Sequence, residues 1–155
     1  WRRVCDDFPD WRLCVIGAGP DEAELKGLAE TLDVHYSVQF VPPQQGLKAV
    51  YQHAQLYAMS SRAEGFPMVL LEAMASGLPV VSFSCTGPDV IVRDGIDGFL
   101  VKQNYTDRLA SKMAELMKDD EKRRQFGARA REVTQRFSLE KYLDAYETLC
   151  KEAAK

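Results

Sequence analysis

Long apolar runs, paired cysteines and histidines are scarce in this 155-residue chain, and each shortage closes a class of function. No apolar stretch approaches the roughly 20 residues that span a bilayer. Cys5, Cys14, Cys85 and Cys150 are scattered without a CxxC. With His35 and His53 as the two histidines, a zinc site has little support. Reduced thiols in a cytosolic protein are the expectation. Charge of one sign is also missing: the formal net charge is -3, which gives no global case for nucleic-acid binding. Neither an internal repeat nor a low-complexity linker is visible. There is no signal peptide and no initiator Met; the chain opens on Trp1 and reads as part of something longer.

What is present is an ordinary globular composition, 46% hydrophobic and 28% charged. The length suits one domain that buries roughly two thirds of its unfolded surface. Short apolar strands alternate with helical stretches. Strands are expected at 12–16, 36–41, 56–59, 78–83 and 98–101. Helices are expected from Pro20 to about Leu32, at 47–54, at 67–76 with Gly77 as the residue just past the end, and near 89–92. From Thr106 the chain reads as helical, broken near Asp119-Asp120 and at Phe137-Ser138. The last helix carries Leu139, Tyr142, Leu143, Tyr146 and Leu149 on one face, which is expected to be buried. This alternation predicts an α/β fold: a Rossmann-like parallel sheet with helices on both faces and a helical C-terminus. Ligands in such sheets bind at the carboxyl ends of the strands, so the loops after Ile16, Val41, Met59 and Phe83 belong to the functional edge.

Glu64 and Glu72 stand out on that edge. Glu72 interrupts the apolar run Phe66 to Ala75, and a carboxylate buried there is costly unless something pairs with it. Pro67 suits a first helical position. The N–H groups of Gly65, Phe66, Met68 and Val69 then sit at a helix N-terminus, which favours phosphate. Gly65 lets a ligand approach the backbone. A carboxylate accepts but does not donate hydrogen bonds, which suits a vicinal diol such as that of ribose. A diol acceptor, an anion cradle and a second diol acceptor in sequence have the layout of a sugar-nucleotide site. The plainer reading makes Glu64 a capping charge and Glu72 the partner of a nearby Arg.

The segment Ser61 to Val81, SRAEGFPMVLLEAMASGLPVV, resembles the donor-site motif of retaining GT-B glycosyltransferases of family 4, the group 1 type. Gly17-Ala18-Gly19-Pro20 resembles that family's Gly-x-Gly-Pro turn. Asp94 to Val101 resembles its D-G-x-x-G-x-L-V segment, and Thr86-Gly87-Pro88 is most similar to bacterial polysaccharide-building members. The resemblance covers most of residues 12 to 101. It implies that 1–155 is one nucleotide-sugar-binding domain, the GT-B C-terminal half. The acceptor-binding domain and the first strand-loop of this half would precede Trp1.

The implied roles follow residue by residue. Glu64 is the catalytic-site carboxylate on the donor-sugar hydroxyls, and Glu72 holds the ribose. The backbone of Gly65, Phe66, Pro67, Met68 and Val69 meets sugar and diphosphate. Gly17 belongs to the donor-site turn, and Arg62, Val41 and Pro42 line the base pocket. The implied reaction transfers a hexosyl or N-acetylhexosaminyl group, with retention, from a nucleotide-diphosphate sugar, UDP-sugar foremost, to a glycan or lipid-linked acceptor. No metal or cofactor is implied. The implied location is cytoplasmic, or peripheral at the inner face of the membrane. An isolated fragment is expected to be inactive. The family often has Glu where Val90 stands, so no role is carried to that position.

Other readings are weaker. A dinucleotide fingerprint at Gly17 lacks its third glycine, and Asp21, Glu22 and Glu24 would repel a pyrophosphate. The basic stretch Lys122, Arg123, Arg124, Arg129, Arg131 and Arg136 reads as a solvated helix face, with docking on an anionic membrane as its sharper version. A nucleotide-sugar epimerase of GT-B architecture needs additional carboxylates and histidines. A non-catalytic interaction module remains open, but a receiver-type one needs an acidic cluster at strand ends that is absent after Ile16 and Met59.

Overall fold

The computed structural model describes residues Trp1 to Ala153. Its strands are β1 (Leu13–Ile16), β2 (Val38–Val41), β3 (Tyr57–Met59), β4 (Val80–Phe83) and β5 (Gly98–Val101). The helices are α1 (Glu22–Thr31), α2 (Lys48–His53), α3 (Met68–Ala75), α4 (Thr86–Ile91), α5 (Thr106–Lys118), α6 (Asp120–Ala130), α7 (Val133–Arg136) and α8 (Leu139–Ala153). Short 3-10 turns at Cys5–Asp7 and His35–Ser37 complete the regular structure. All strand pairs are parallel, as the alternation of strand and helix requires. The sheet is not continuous. β1 pairs with β2, and β3-β4-β5 form a separate ladder with β4 in the middle. All four residues of β4 are buried, as a central parallel strand demands.

The two ladders are tied by the N-terminal segment. Trp1 packs against both the cluster under β4 and β5 and the cluster of Cys5, Ala29 and Val34 beside β2. Its indole N–H donates to Ser37 Oγ at 2.9 Å. Trp11 packs on the first of these clusters and lies under the Arg123 guanidinium, 5.1 Å from the ring centroid.

The D-G-x-x-G segment is a structural device. Gly95 adopts φ +74°, and its N–H reaches the Gly98 carbonyl at 2.9 Å. Asp94 accepts the Leu100 N–H at 2.9 Å. Asp97 is fully buried and accepts from the Arg93 N–H at 2.7 Å, from Arg93 Nε at 2.6 Å and from Arg136 Nη1 at 3.1 Å. A Cβ on Gly98 would sit 2.7 Å from the Val80 carbonyl, so only glycine lets β5 approach β4 there.

The structure corrects three expectations. Pro67 is not the first helical residue; it caps α3 from outside, with ψ 106°. The helix expected near 89–92 begins three residues earlier, at Thr86. Helix α8 buries none of its residues: Leu139, Tyr142, Leu143, Tyr146 and Leu149 are all exposed. Its apolar stripe is real, but no element of the described residues packs over it. Each residue of the basic stretch has an intramolecular partner. Lys122 pairs with Glu115, Arg123 and Arg124 with Asp120, Arg129 with Glu132, and Arg136 with Asp97. Arg131 donates to the Ser76 carbonyl at 3.4 Å. Lys122, Arg123 and Arg136 are half-buried and tie α5, α6, α7 and the Asp97 turn together, while Arg124, Arg129 and Arg131 stay exposed, the solvated face that the sequence suggests. Among the described residues no helix is long and apolar enough to cross a membrane.

Candidate functional site

Glu64 lies in the loop between β3 and α3, beyond the carboxyl end of β3. The loop is held by α4. Its Glu64 carbonyl accepts the Gly87 N–H at 2.8 Å. Gly87 is packed so closely that an added Cβ would lie 2.5 Å from Pro67 Cδ and 2.8 Å from the Gly65 carbonyl. On the other side Gln103, just past β5, donates to the Arg62 carbonyl at 2.5 Å. These anchors fix an open cleft of about 480 Å³ lined by Arg62, Ala63, Glu64, Gly65, Cys85, Thr86 and Gln103. A Cβ on Gly65 would meet nothing within 4 Å, so the space over that residue is free for a ligand.

The start of α3 offers donors. Pro67 accepts from the N–H groups of Leu70 and Leu71 at 3.1 and 3.4 Å. Among the described residues no acceptor takes the N–H groups of Gly65, Phe66, Met68 or Val69. Unpaired donors at a helix N-terminus attract anions. Pro67 is buried, while Phe66, Met68 and Val69 are exposed, and Phe66 stands edge-on to Phe137 with ring centroids 5.5 Å apart. No carboxylate pairs with the Arg62 guanidinium among the described residues. It remains a free positive charge on the cleft wall.

Glu72 requires a correction. It is exposed, not buried, so the burial cost inferred from the apolar run does not exist. The reason lies in the helix period. Leu70, Ala73 and Met74 face the core, whereas Met68, Val69 and Glu72 share the outer side of α3. The plainer reading of Glu72 fails as well, because no Arg or Lys pairs with it. Its contact is the Tyr51 hydroxyl, 3.5 Å from Oε2. Glu64 and Glu72 act on one phenol. Burial first, then the negative charges of Glu64 and Glu72, push the Tyr57 hydroxyl pKa up.

Sequence reasoning brought together Arg62, Glu64 and Gly65 on the cleft, with Pro67, Phe66, Met68, Val69 and Glu72 on the adjoining α3. Gly17, Val41 and Pro42 form a second group at the end of the β1-β2 ladder. Gly17 takes φ +142° and donates to the Val41 carbonyl at 3.0 Å. No hydrogen bond joins that group to the Glu64 loop among the described residues. Tyr51, Tyr57 and Gln103 were not identified from the sequence, whereas Thr86 was marked as part of Thr86-Gly87-Pro88. Gln103 carried a faint signal, a polar residue directly after the strand that ends the D-G-x-x-G segment.

A parallel α/β sheet with an anion-attracting helix start and two carboxylates at its carboxyl edge defines a Rossmann-like ligand-binding domain. Comparison with known proteins gives its family. Residues 1–133 match the family model described as glycosyl transferases group 1, and the chain belongs to that family. It is 33% identical over 147 residues to an uncharacterized glycosyltransferase of Haemophilus influenzae, covering 94% of this chain and 42% of that protein. It is 38% identical over 149 residues to an exopolysaccharide phosphotransferase of Streptomyces coelicolor, covering 95% of this chain and 16% of that protein. The chain thus spans less than half the length of either relative. Among solved structures it superimposes on a TarM mutant of S. aureus, crystallised with fondaparinux, α-GlcNAc-glycerol and UDP. The TM-score is 0.90 at 23% identity, over 96% of this chain and 30% of that one. The likeness shows that this chain shares the fold of the matched part of that structure.

Proposed function

We infer that this chain is the donor-binding part of a glycosyltransferase that takes a nucleotide-diphosphate sugar, with UDP-sugar as the first choice. The observation that carries the reading is the set of unpaired N–H groups from Gly65 to Val69, bracketed by Glu64 on the cleft and Glu72 on α3. A diphosphate at those donors gains their hydrogen bonds and the positive end of α3, and Arg62 adds a positive charge. Glu64 would then accept hydroxyls of the sugar, and Glu72 the ribose diol. Family membership and a structural neighbour holding UDP support the same ligand class.

Transfer with retention at the anomeric carbon is part of the proposal. During that step negative charge grows on the departing diphosphate, and fixed N–H dipoles lower its cost. The transfer is proposed to run without a metal, which EDTA tests on the whole enzyme: unchanged turnover agrees, and loss restored by added Mg²⁺ contradicts it. The acceptor, a glycan or a lipid-linked one, is proposed to be bound outside this chain, on the cytoplasmic side of the membrane. The test of the donor reading is thermal unfolding with a panel of nucleotides. UDP or GDP at about 100 times its dissociation constant should add about 2.7 kcal/mol. Glu72→Ala should lose that gain without lowering the melting temperature of the free chain. A panel without any stabilising nucleotide would refute the donor site.

A further inference from the structure

We propose that Tyr51 is a positioning residue for the donor site: its hydroxyl holds the Glu72 carboxylate in the orientation that accepts a ribose diol. The inference rests on the donor reading of Glu72 and adds to it a residue from another helix. Glu72 lies on the outer side of α3, where a glutamate ordinarily samples many rotamers. A carboxylate that must meet two adjacent hydroxyls gains from being held in one.

Tyr51 is built to do this. It lies on α2, 21 residues away in the chain, and is only 6% exposed. Its ring is clamped in a cluster with Ala73 and Leu78, with Leu47, Ala54 and Tyr57 packed around it. The Tyr57 ring meets it edge-on, with centroids 6.4 Å apart. The ring cannot swing, so the hydroxyl has a fixed place. From that place it reaches two acceptors on α3: the Val69 carbonyl at 3.4 Å and Glu72 Oε2 at 3.5 Å. A tyrosine hydroxyl has one proton, and the ionised carboxylate is the stronger acceptor. Burial, the charge of Glu72 and the bond to it hold the hydroxyl protonated, its pKa pushed up to about 12. Tyr51 is therefore a donor at neutral pH. No other side chain donates to Glu72 among the described residues, so the constraint on this carboxylate comes from Tyr51.

The carbonyl of Val69 also belongs to the first turn of α3, whose N–H groups form the anion cradle. One buried phenol thus touches both parts of the site: the turn that faces phosphate and the carboxylate that faces ribose.

The test separates positioning from packing. Tyr51→Phe keeps the ring and removes only the oxygen. Calorimetric titration of the chain would use UDP and GDP, each beside its 2′,3′-dideoxy counterpart. Tyr51→Phe should weaken the parent's preferred nucleotide about five- to tenfold, the range of an ordinary net hydrogen bond, as the 3.5 Å contact suits. It should leave the dideoxy compound unchanged within about twofold. In a Glu72→Gln background, Tyr51→Phe should have no further effect. Equal loss for both nucleotides would reduce Tyr51 to a packing residue and overturn the inference. So would full retention of diol discrimination in Tyr51→Phe. If the parent itself fails to distinguish diol from dideoxy nucleotide, the ribose role of Glu72 falls, and the inference with it. Should Tyr51→Phe unfold, the parent chain decides: side-chain NMR couplings must show Glu72 in one rotamer, and rotamer averaging overturns the assignment.

Discussion

Gly87 offers a sharp test of how the cleft is held. The perturbation is one methyl group, Gly87→Ala. That carbon would sit 2.5 Å from Pro67 Cδ, 2.8 Å from the Gly65 carbonyl and 3.1 Å from the Glu64 carbonyl. Ordinary contact begins at 3.4 Å, so the ring and the loop must retreat by about 0.6 to 0.9 Å. Neither can turn away, since the obstacles are backbone atoms and a proline ring. Overpacking of this kind costs about 1–3 kcal/mol. For a chain of this size that lowers the melting temperature by roughly 2–12 °C. The same movement carries off the Glu64 carbonyl that receives the Gly87 N–H, and with it the start of the anion cradle. Nucleotide binding should weaken at least tenfold. Gly65→Ala is the control. Its Cβ meets nothing in the protein, so stability should stay within about 0.5 kcal/mol. Binding should still fall, because the methyl group occupies the ligand's space. Thermal unfolding and calorimetric titration of the two variants read both effects. An unshifted melting temperature in Gly87→Ala would refute the packing argument, and unchanged binding in Gly65→Ala would refute the ligand's position.

Three further outcomes follow from other parts of the molecule. Asp97→Ala leaves Arg93 and Arg136 without their buried carboxylate and should cost about 3–5 kcal/mol, read as a lower urea midpoint. The Lys112 and Lys122 ammonium groups hold the Glu115 pKa below its usual value near 4.5. That contribution to stability is present above pH 4.5 and is lost as pH falls through the depressed pKa. Stability of Glu115→Gln should therefore fall less steeply over that acid range, as chemical denaturation at successive pH values would show. Helix α8 buries none of its residues, so replacing Leu139, Leu143 and Leu149 by Ser should leave the melting temperature within about 2 °C while lowering self-association in sedimentation velocity.

Much of the fold was readable because its strands are short apolar runs bounded by Gly and Pro, and its helices have clear stops. Gly77 with φ +88° ends α3 where the sequence placed its end. The order in which the strands pair was not readable, since strand pairing is non-local and no residue pattern records which edges meet. Glu72 shows how a candidate can be reached by an argument that the structure does not uphold. The apolar run around it suggests burial, yet α3 is apolar on its exposed side as well, through Met68 and Val69. The burial argument for Glu72 falls, and what remains of the sequence case is the whole motif from Ser61 to Val81. Similarly, the stripe on α8 was legible but its burial was not, because a hydrophobic period states which face is apolar and not what covers it. Tyr51 was invisible for a different reason: its role depends on the packing of α2 against α3, and nothing in its local sequence marks it. The basic stretch was read as a solvated helix face; the partners that tie part of it down come from α5, α6, the D-G-x-x-G turn and the end of α3, up to 55 residues away.

The most direct measurement is amide mapping by NMR during titration of the chain with UDP. The donor-site reading predicts the largest shifts at the N–H groups of Gly65, Phe66, Met68 and Val69, with Gly87 moving through its bond to the loop. Shifts centred instead on the basic groove around Lys102, Arg108 and Lys112, with the Gly65 to Val69 amides still, would contradict it.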